Sequence, residues 1–204
     1  VTDAPLTPGK RDPARRRRAI IHAATEIIVA DGPAALTHRA VAAHAGVALG
    51  STTQYFSSID ELREAALNQL AEEIDESLAA IEPFFKTLKT DPTDAITELL
   101  KYLDDPRAVH ADIALMSSGI NTPSMQALAL RWSNHLIDML SEHIDRERAE
   151  AIAIYLDGAT MHAGLRGHHP GREAITRTVM ALAGLPMPPT TTPTTENVSG
   201  EPKE

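Results

Sequence analysis

At Asp12-Pro13, Asp91-Pro92, Asp105-Pro106 and Thr122-Pro123 a short polar residue stands directly before a proline at the head of an apolar-patterned stretch. Asp and Thr offer a side-chain oxygen to the unpaired N–H groups of a helix's first turn, and proline at the first helical position loses nothing by lacking an N–H. Ser58-Ile59-Asp60-Glu61 adds a capping box, in which Ser and Glu satisfy orphan backbone donors at the helix entry. So many helix entries commit the chain to helices unless other segments supply strands. None alternates convincingly, and the residues that strands favour are scarce, with aromatics at only 3%. The expected fold class is all-α.

With 43% hydrophobic residues over 204 positions the chain can bury a real core. About nine helices are predicted, over 13–31, 37–44, 48–55, 59–82 or slightly beyond, 92–104, 106–119, 123–143, 146–166 and 171–184. In the long fourth helix Leu62, Ala66, Leu70, Ile74, Leu78 and Ile81 recur at spacings of three and four, as one buried stripe requires. Pro83 is expected to end or kink it, while Gly32-Pro33 and Gly119 punctuate the first and sixth helices. Residues 186–204 turn to Pro, Thr, Asn, Ser and Glu and read as a disordered tail, and 1–11 read as a disordered basic arm. The intervening domains are placed at 12–58 and 59–185.

Several functions are excluded by what is missing. There is no cysteine, which removes disulfides, thiolate metal sites and cysteine nucleophiles together. No run approaches the ~18 apolar residues of a membrane span, so a cytoplasmic protein with no membrane partner is expected. No G-x-S-x-G, P-loop or dinucleotide fingerprint occurs, and the nine histidines lack the i, i+4 spacing of a helical metal site. Neither metal, cofactor nor catalytic residue is therefore expected. The net charge of −9 argues against a nucleic-acid partner, but its distribution does not. Residues 1–62 hold seven Lys/Arg against six Asp/Glu, including the run Arg15, Arg16, Arg17, Arg18, so nearly all the negative charge lies in the remainder. An anion-facing head sits on an acidic body.

The segment Leu36 to Phe56 reads as two short helices with a tight turn at Gly46, where glycine can adopt the left-handed conformation that ends the first. Val41, Ala45 and Val47 point inward and Ala42 is small enough for a close crossing. This is a helix-turn-helix pattern, in which the second helix enters the major groove and the first braces it. Helix spacing alone favours an ordinary αα-hairpin in an all-α core. The context separates the two: an amphipathic helix with a basic run precedes the pair, and Ala23-Ala24, Asp31-Gly32, Thr37, Val41-Ala42, Ala45-Gly46-Val47, Gly50-Ser51, Tyr55-Phe56 and Glu61-Leu62 stand at specific spacings. Over about residues 14–62 the arrangement resembles the TetR/AcrR family of bacterial one-component transcriptional repressors. Beyond it, only length, helix count and Leu156-Asp157-Gly158 are similar to the family.

The resemblance implies DNA contacts at Thr37 and Arg39 and at Leu49, Gly50, Ser51, Thr53, Gln54 and Tyr55. The chemistry is apt. Thr37 offers a hydroxyl and a helix N-terminus to a phosphate, Ser51 and Gln54 can bond base edges, and Leu49 suits a thymine methyl. Three positions depart from the family pattern: Thr53 replaces an aromatic, Ile59 a phosphate-binding Lys, and Ala48 a Ser cap. Arg15, Arg16, Arg17 and Arg18, with Lys10 and Arg11, are expected to compensate from the arm by reaching phosphates or a minor groove.

The resemblance further implies a double-stranded operator, a small-molecule inducer, and a homodimer through the last two helices. Ile152, Leu156, Ala159 and Ala163, with Ile175, Val179 and Leu182, form stripes suited to such packing, though they equally suit a monomer core. Tyr102, Met116, Trp132, Leu136, Met139, Asp157, Met161 and His162 are the candidate lining of an adaptable pocket for an apolar or amphipathic ligand. Asp157 on a largely apolar helix wants a partner, which Arg131, Arg166, a helix end or a cationic ligand can supply. Ligand-released repression is the leading function. A helical small-molecule-binding protein or enzyme that keeps the head as scaffold, and a repressor whose body only dimerises, are the alternatives.

Overall fold

A computed structural model describes residues 12–88 and 91–186. Among these the chain is all helical: α1 (Pro13–Asp31), α2 (His38–Ala45), α3 (Leu49–Tyr55), α4 (Ile59–Phe85), α5 (Thr93–Leu103), α6 (Pro106–Asn121), α7 (Gln126–Ala129), α8 (Arg131–Ser141), α9 (Arg146–Arg166) and α10 (Arg172–Ala183). Single 3-10 turns occupy Pro33–Ala35 and Pro123–Met125. The expected arm at 1–11 and the expected tail, apart from Pro186, lie outside the described residues. No described helix is long and apolar enough to cross a membrane.

Of the proline-preceding caps, Asp12 and Asp105 act as their chemistry dictates, whereas Thr122 makes no side-chain cap before Pro123. Asp12 accepts the Arg15 N–H at 3.0 Å and Asp105 the Arg107 N–H at 2.9 Å. Asp91 accepts the Thr93 N–H at 3.0 Å, one residue before the expected register, so that Pro92 stands at the helix cap and not inside it. The capping box at α4 is likewise shifted. Ser58 Oγ accepts the Glu61 N–H at 3.1 Å, but the Glu61 carboxylate takes the N–H and hydroxyl of Ser57, at 2.7 and 2.8 Å, and not the N–H of Ser58. Those two donors, the hydroxyl first, hold the Glu61 carboxyl below its ordinary pKa.

Two sequence expectations are corrected. The segment 123–143 is not one helix, because the 3-10 turn at Pro123 feeds the four-residue α7 and the chain re-enters as α8 after Leu130. α4 runs through Pro83 and stops at Phe85, slightly beyond 82 as expected. Gly119 does not end α6. It lies inside the helix, and a Cβ there would stand 2.3 Å from Ala129 Cβ, so glycine lets α7 fold back against α6.

The layout follows from α4, whose buried stripe of Leu62, Ala66, Leu70, Ile74 and Leu78 matches the predicted spacing. It packs against α1, α5, α6 and α8. On the far side α9 packs against α8, α6 and α10. One hydrophobic core runs through from Ile20, Ile28 and Phe56 to Leu140, Ile152 and Ile175. At an order of ~1.5–3 kcal/mol for each buried large aliphatic side chain, this shared core is what ties the small α1–α3 unit to α4.

Candidate nucleic-acid interface and internal cavity

Between α2 and α3 the chain reverses at Gly46, at φ 64°, where the Val47 N–H reaches the Ala42 carbonyl at 3.0 Å. Val41 and Ala42 are buried beneath the crossing. A polar contact missed in the sequence locks the pair: Thr52, fully buried on α3, donates its hydroxyl to the Leu49 carbonyl at 2.8 Å and lies 3.2 Å from His38 Nδ1 on α2. Because the Thr52 proton is spent on Leu49, His38 donates through Nδ1–H. Sequence reading could have found it only by asking why an interior Thr faces a His fourteen residues away.

With Thr52 turned inward, Leu49, Gly50, Thr53 and Gln54 turn outward and form an exposed face one helix wide. Leu49 is 48% exposed, which is unfavourable for an apolar side chain without a surface to cover. Nothing lies within 4 Å of a Cβ built at Gly50, so internal packing does not require glycine there. Ser51 and Tyr55 are half-buried, and Tyr55 packs on the core. At the adjoining entrance Thr37 caps α2 by accepting the Ala40 N–H at 3.1 Å, leaving the N–H groups of that first turn facing out beside exposed Arg39. Ala48 gives α3 no side-chain cap, as its sequence departure implied.

The four arginines are placed differently from the expected flexible arm. Arg15, Arg16, Arg17 and Arg18 belong to the first turns of α1, where successive side chains point about 100° apart. They cannot all address one surface. Arg17 lies over the Phe56 ring, 5.1 Å from its centroid, and its charge also favours the Glu61 carboxylate. Lys10 and Arg11 lie outside the described residues.

The second feature is a partly open cavity of about 320 Å³ bordered by α4, α5, α8, α9 and α10 and the start of α6. Leu78, Ile81, Phe85, Leu88, Ile96, Leu99, Leu140, Ile152, Leu156 and Val179 give it an apolar wall, and Ser77, Glu98, Lys101 and Asp105 add polar groups. Of the candidate ligand residues, Tyr102, Trp132 and Leu136 line it. Tyr102 and Trp132 stack with centroids 5.9 Å apart and planes at 15°. Met116 is half-buried and Met139 buried without lining the cavity, whereas Met161 and His162 are exposed on α9. The contribution of Phe85 and Leu88 was legible only as aromatic and apolar content after Pro83, because no local pattern says that the end of α4 folds over α5.

Asp157 lies beside this cavity, not in its lining. Its carboxylate accepts from the Ser133 hydroxyl, 3.2 Å from both oxygens, while Arg131 pairs with Asp75 on α4. Burial raises the Asp157 pKa, opposed by Ser133. A deeper carboxyl, Asp112 on α6, was not anticipated. It is 2% exposed, and burial first, then the charge of Asp157, push its pKa up to about 7, with the nearby Tyr102 hydroxyl acting the other way. Neither Asp112 Oδ2 nor Tyr102 Oη nor the fully buried Thr160 hydroxyl has a hydrogen bond of good geometry. Among the described residues no group of acids and histidines could hold a metal ion.

The family described as bacterial regulatory proteins, tetR family, matches residues 20–66. No match was found among curated proteins. Among solved structures, a member of the TetR family (SCO1917) from Streptomyces coelicolor A3 is 30% identical, with a TM-score of 0.69 over 84% of this chain and 99% of that one. The multidrug binding protein EbrR complexed with imidazole is 30% identical, with a TM-score of 0.68 over 86% of this chain and 97% of that one. EbrR complexed with malachite green is 28% identical, with a TM-score of 0.70 over 84% and 99%.

Proposed function

The chain belongs to the TetR family of bacterial regulatory proteins, and from that premise we propose that it is a homodimeric repressor that reads a palindromic operator with α3 and leaves it when a small apolar or amphipathic molecule fills the internal cavity. The observation that carries the reading is the outward face of α3. Leu49, Gly50, Thr53 and Gln54 are exposed there on a helix pinned from behind by Thr52 and His38, so base-reading groups stand on a rigid support. Gln54 and Ser51 read base edges, Leu49 covers a thymine methyl, and Thr37, Arg39, Arg15, Arg16 and Arg18 take phosphates. Tyr55 packs on the core and the exposed Arg17 lies over the Phe56 ring, so both brace the end of the reading helix.

Dimerisation through α9 and α10 is supported by a different stripe from the one expected. Ile152, Leu156, Ala159, Ala163, Ile175 and Val179 are buried within the chain and close its own core. The opposite face of α9 carries Ile154 at 71% exposure and Leu165 at 76%, with Gly158 and Met161 between them in helical register. A Cβ at Gly158 would meet nothing within 4 Å, which leaves room for the close approach of another helix. A twofold pairing of this face presents two reading helices, as a palindromic site requires.

Coupling between cavity and head is supported by Arg107. It lies between Asp105 and Ala108, both of which line the cavity, and its guanidinium forks to Glu26 on α1 and Glu73 on α4, each at 2.8 Å. A ligand that displaces the start of α6 pulls on both helices that carry α2 and α3. To empty the operator it must prefer the released state, because equal affinity for both states shifts nothing. The test is a fluorescence anisotropy titration with duplex flanking the protein's own gene, against a scrambled duplex. Preference for the flanking DNA supports the reading, and equal affinity for the two overturns it.

A further inference from the structure

The first residue of α2, His38, stands between Thr37 and Arg39, two of the side chains proposed above to take phosphates. One of its ring nitrogens is already engaged. Thr52 on α3 gives its hydroxyl proton to the Leu49 carbonyl at 2.8 Å, so Nδ1 of His38, 3.2 Å from the same hydroxyl oxygen, is the donor of that pair. This fixes the state of the other nitrogen. In a neutral imidazole with its proton on Nδ1, Nε2 carries a bare lone pair, and it points away from Thr52, which is fully buried. Nε2 has no partner among the described residues, and it is not one of the polar atoms shut off from water. The half-buried ring is thus tied to the back of the reading helix on one side and open on the other. A bare lone pair is repelled by a phosphate oxygen, whereas a second ring proton turns the same atom into a charge-assisted donor.

We propose that His38 is a proton-dependent contact to the DNA backbone: on binding, its ring takes up a second proton from solvent, keeps Nδ1–H on Thr52 and gives Nε2–H to a phosphate oxygen. Turning the ring to send its one proton outward is no substitute, because that gives up the bond that ties α2 to α3. α2 packs against α1 and α3. The titratable or charged groups those elements carry are Arg15, Arg16, Arg17, Arg18, His22, Glu26 and Asp31 on α1 and Tyr55 on α3, with Arg39 and His44 on α2 itself. None of them is paired with His38 among the described residues, and Glu26 is held by Arg107. The phosphate is therefore the anion that favours the imidazolium. The assignment rests on the reading of α3 as the DNA-binding helix and adds a regulation of that surface by pH. Being a backbone contact it is blind to sequence, so operator and scrambled duplexes gain from it alike. Each proton taken up on binding changes affinity by up to about tenfold per pH unit, and a dimer takes up one per subunit.

The test is fluorescence anisotropy of the full chain with the duplex flanking its own gene and with a scrambled duplex, at constant ionic strength and at about pH 6, 7 and 8. His38→Asn is the informative variant, because its amide nitrogen stands where Nδ1 does and preserves the donor to Thr52 while removing Nε2. Wild-type affinity for both duplexes is expected to rise at least about tenfold from about pH 8 to about pH 6. The variant is expected to rise by less than about threefold and to match wild type within about twofold at about pH 8, where a neutral ring offers the phosphate nothing. Asp112 titrates in both proteins, so its contribution cancels in the comparison. Should His38→Asn fold poorly, His38→Gln carries the test, since its outward amide donates at every pH and a flat response is again expected. A variant that keeps the wild-type pH response, or that loses affinity equally at every pH, overturns the assignment and leaves His38 a purely structural partner of Thr52. Equal affinity for the two duplexes sinks the repressor reading alone, because the pH difference is still read on either; no binding to either duplex overturns both.

Discussion

At Gly50 the free protein has room for a methyl group, and helix formation favours one. Gly50→Ala is therefore expected to stabilise the fold slightly, by about 0.5 kcal/mol, while weakening DNA binding because the added carbon occupies the surface that the duplex approaches. Urea denaturation and anisotropy on the same preparation separate the two effects; unchanged DNA affinity would remove Gly50 from the contact face. Asp112 makes the opposite case, a residue whose burden is internal. Its pKa of about 7 in the fold lies above the ordinary aspartate value of 3.8, so the folded state holds the extra proton between those values. Stability should therefore fall as the pH rises from about 4 to about 7 and then level off, by up to roughly 4 kcal/mol for this group. Tyr102 on α5 and Asp157 on α9 are the titratable groups that face it. Asp112→Asn should accordingly melt at a higher temperature than wild type at pH 8, with the difference shrinking towards pH 4. A difference independent of pH would show that the carboxyl is not charged in the fold.

At the scale of elements, the same helix can satisfy two surfaces. α9 spends Ala149, Ile152, Ala153, Leu156, Ala159 and Ala163 on its own chain and leaves Ile154, Met161 and Leu165 outside. Apolar residues on both faces explain why the sequence stripe could be assigned to core or to dimer equally well. Which stripe faces inward depends on where α6 and α8 pack, and that is non-local information. Met161 and His162 were drawn to the pocket by the same ambiguity. Ile154→Glu with Leu165→Glu is expected to leave helicity intact, since neither side chain is part of the core, and to convert dimer to monomer in sedimentation velocity. A doubly substituted protein that still sediments as a dimer would move the interface elsewhere.

Across the whole molecule, what could be read early was local or motif-borne. Asp12, Asp105 and Ser58 reveal helix entries within four residues of themselves, and Thr37, Gly46 and Tyr55-Phe56 mark the head by fixed spacing. The cavity was only partly legible because its wall joins Leu78 and Phe85 of α4, Leu99 of α5, Leu136 of α8 and Val179 of α10, which no spacing rule connects. Asp112 was hidden for the same reason, as nothing in Ala111-Asp112-Ile113 says that α5 and α9 close over it. The charge distribution, by contrast, is visible from the sequence and bears on the central claim: a chain with net charge −9 binds DNA only if a local cationic surface does the binding. The most direct test is the salt dependence of its affinity for duplex flanking its own gene. If the dimer neutralises ~6–10 phosphates, affinity should fall by ~10³–10⁵-fold between about 50 and 200 mM salt. An affinity that does not change across that range would contradict the assignment of α3 and its flanking arginines as a DNA-reading surface.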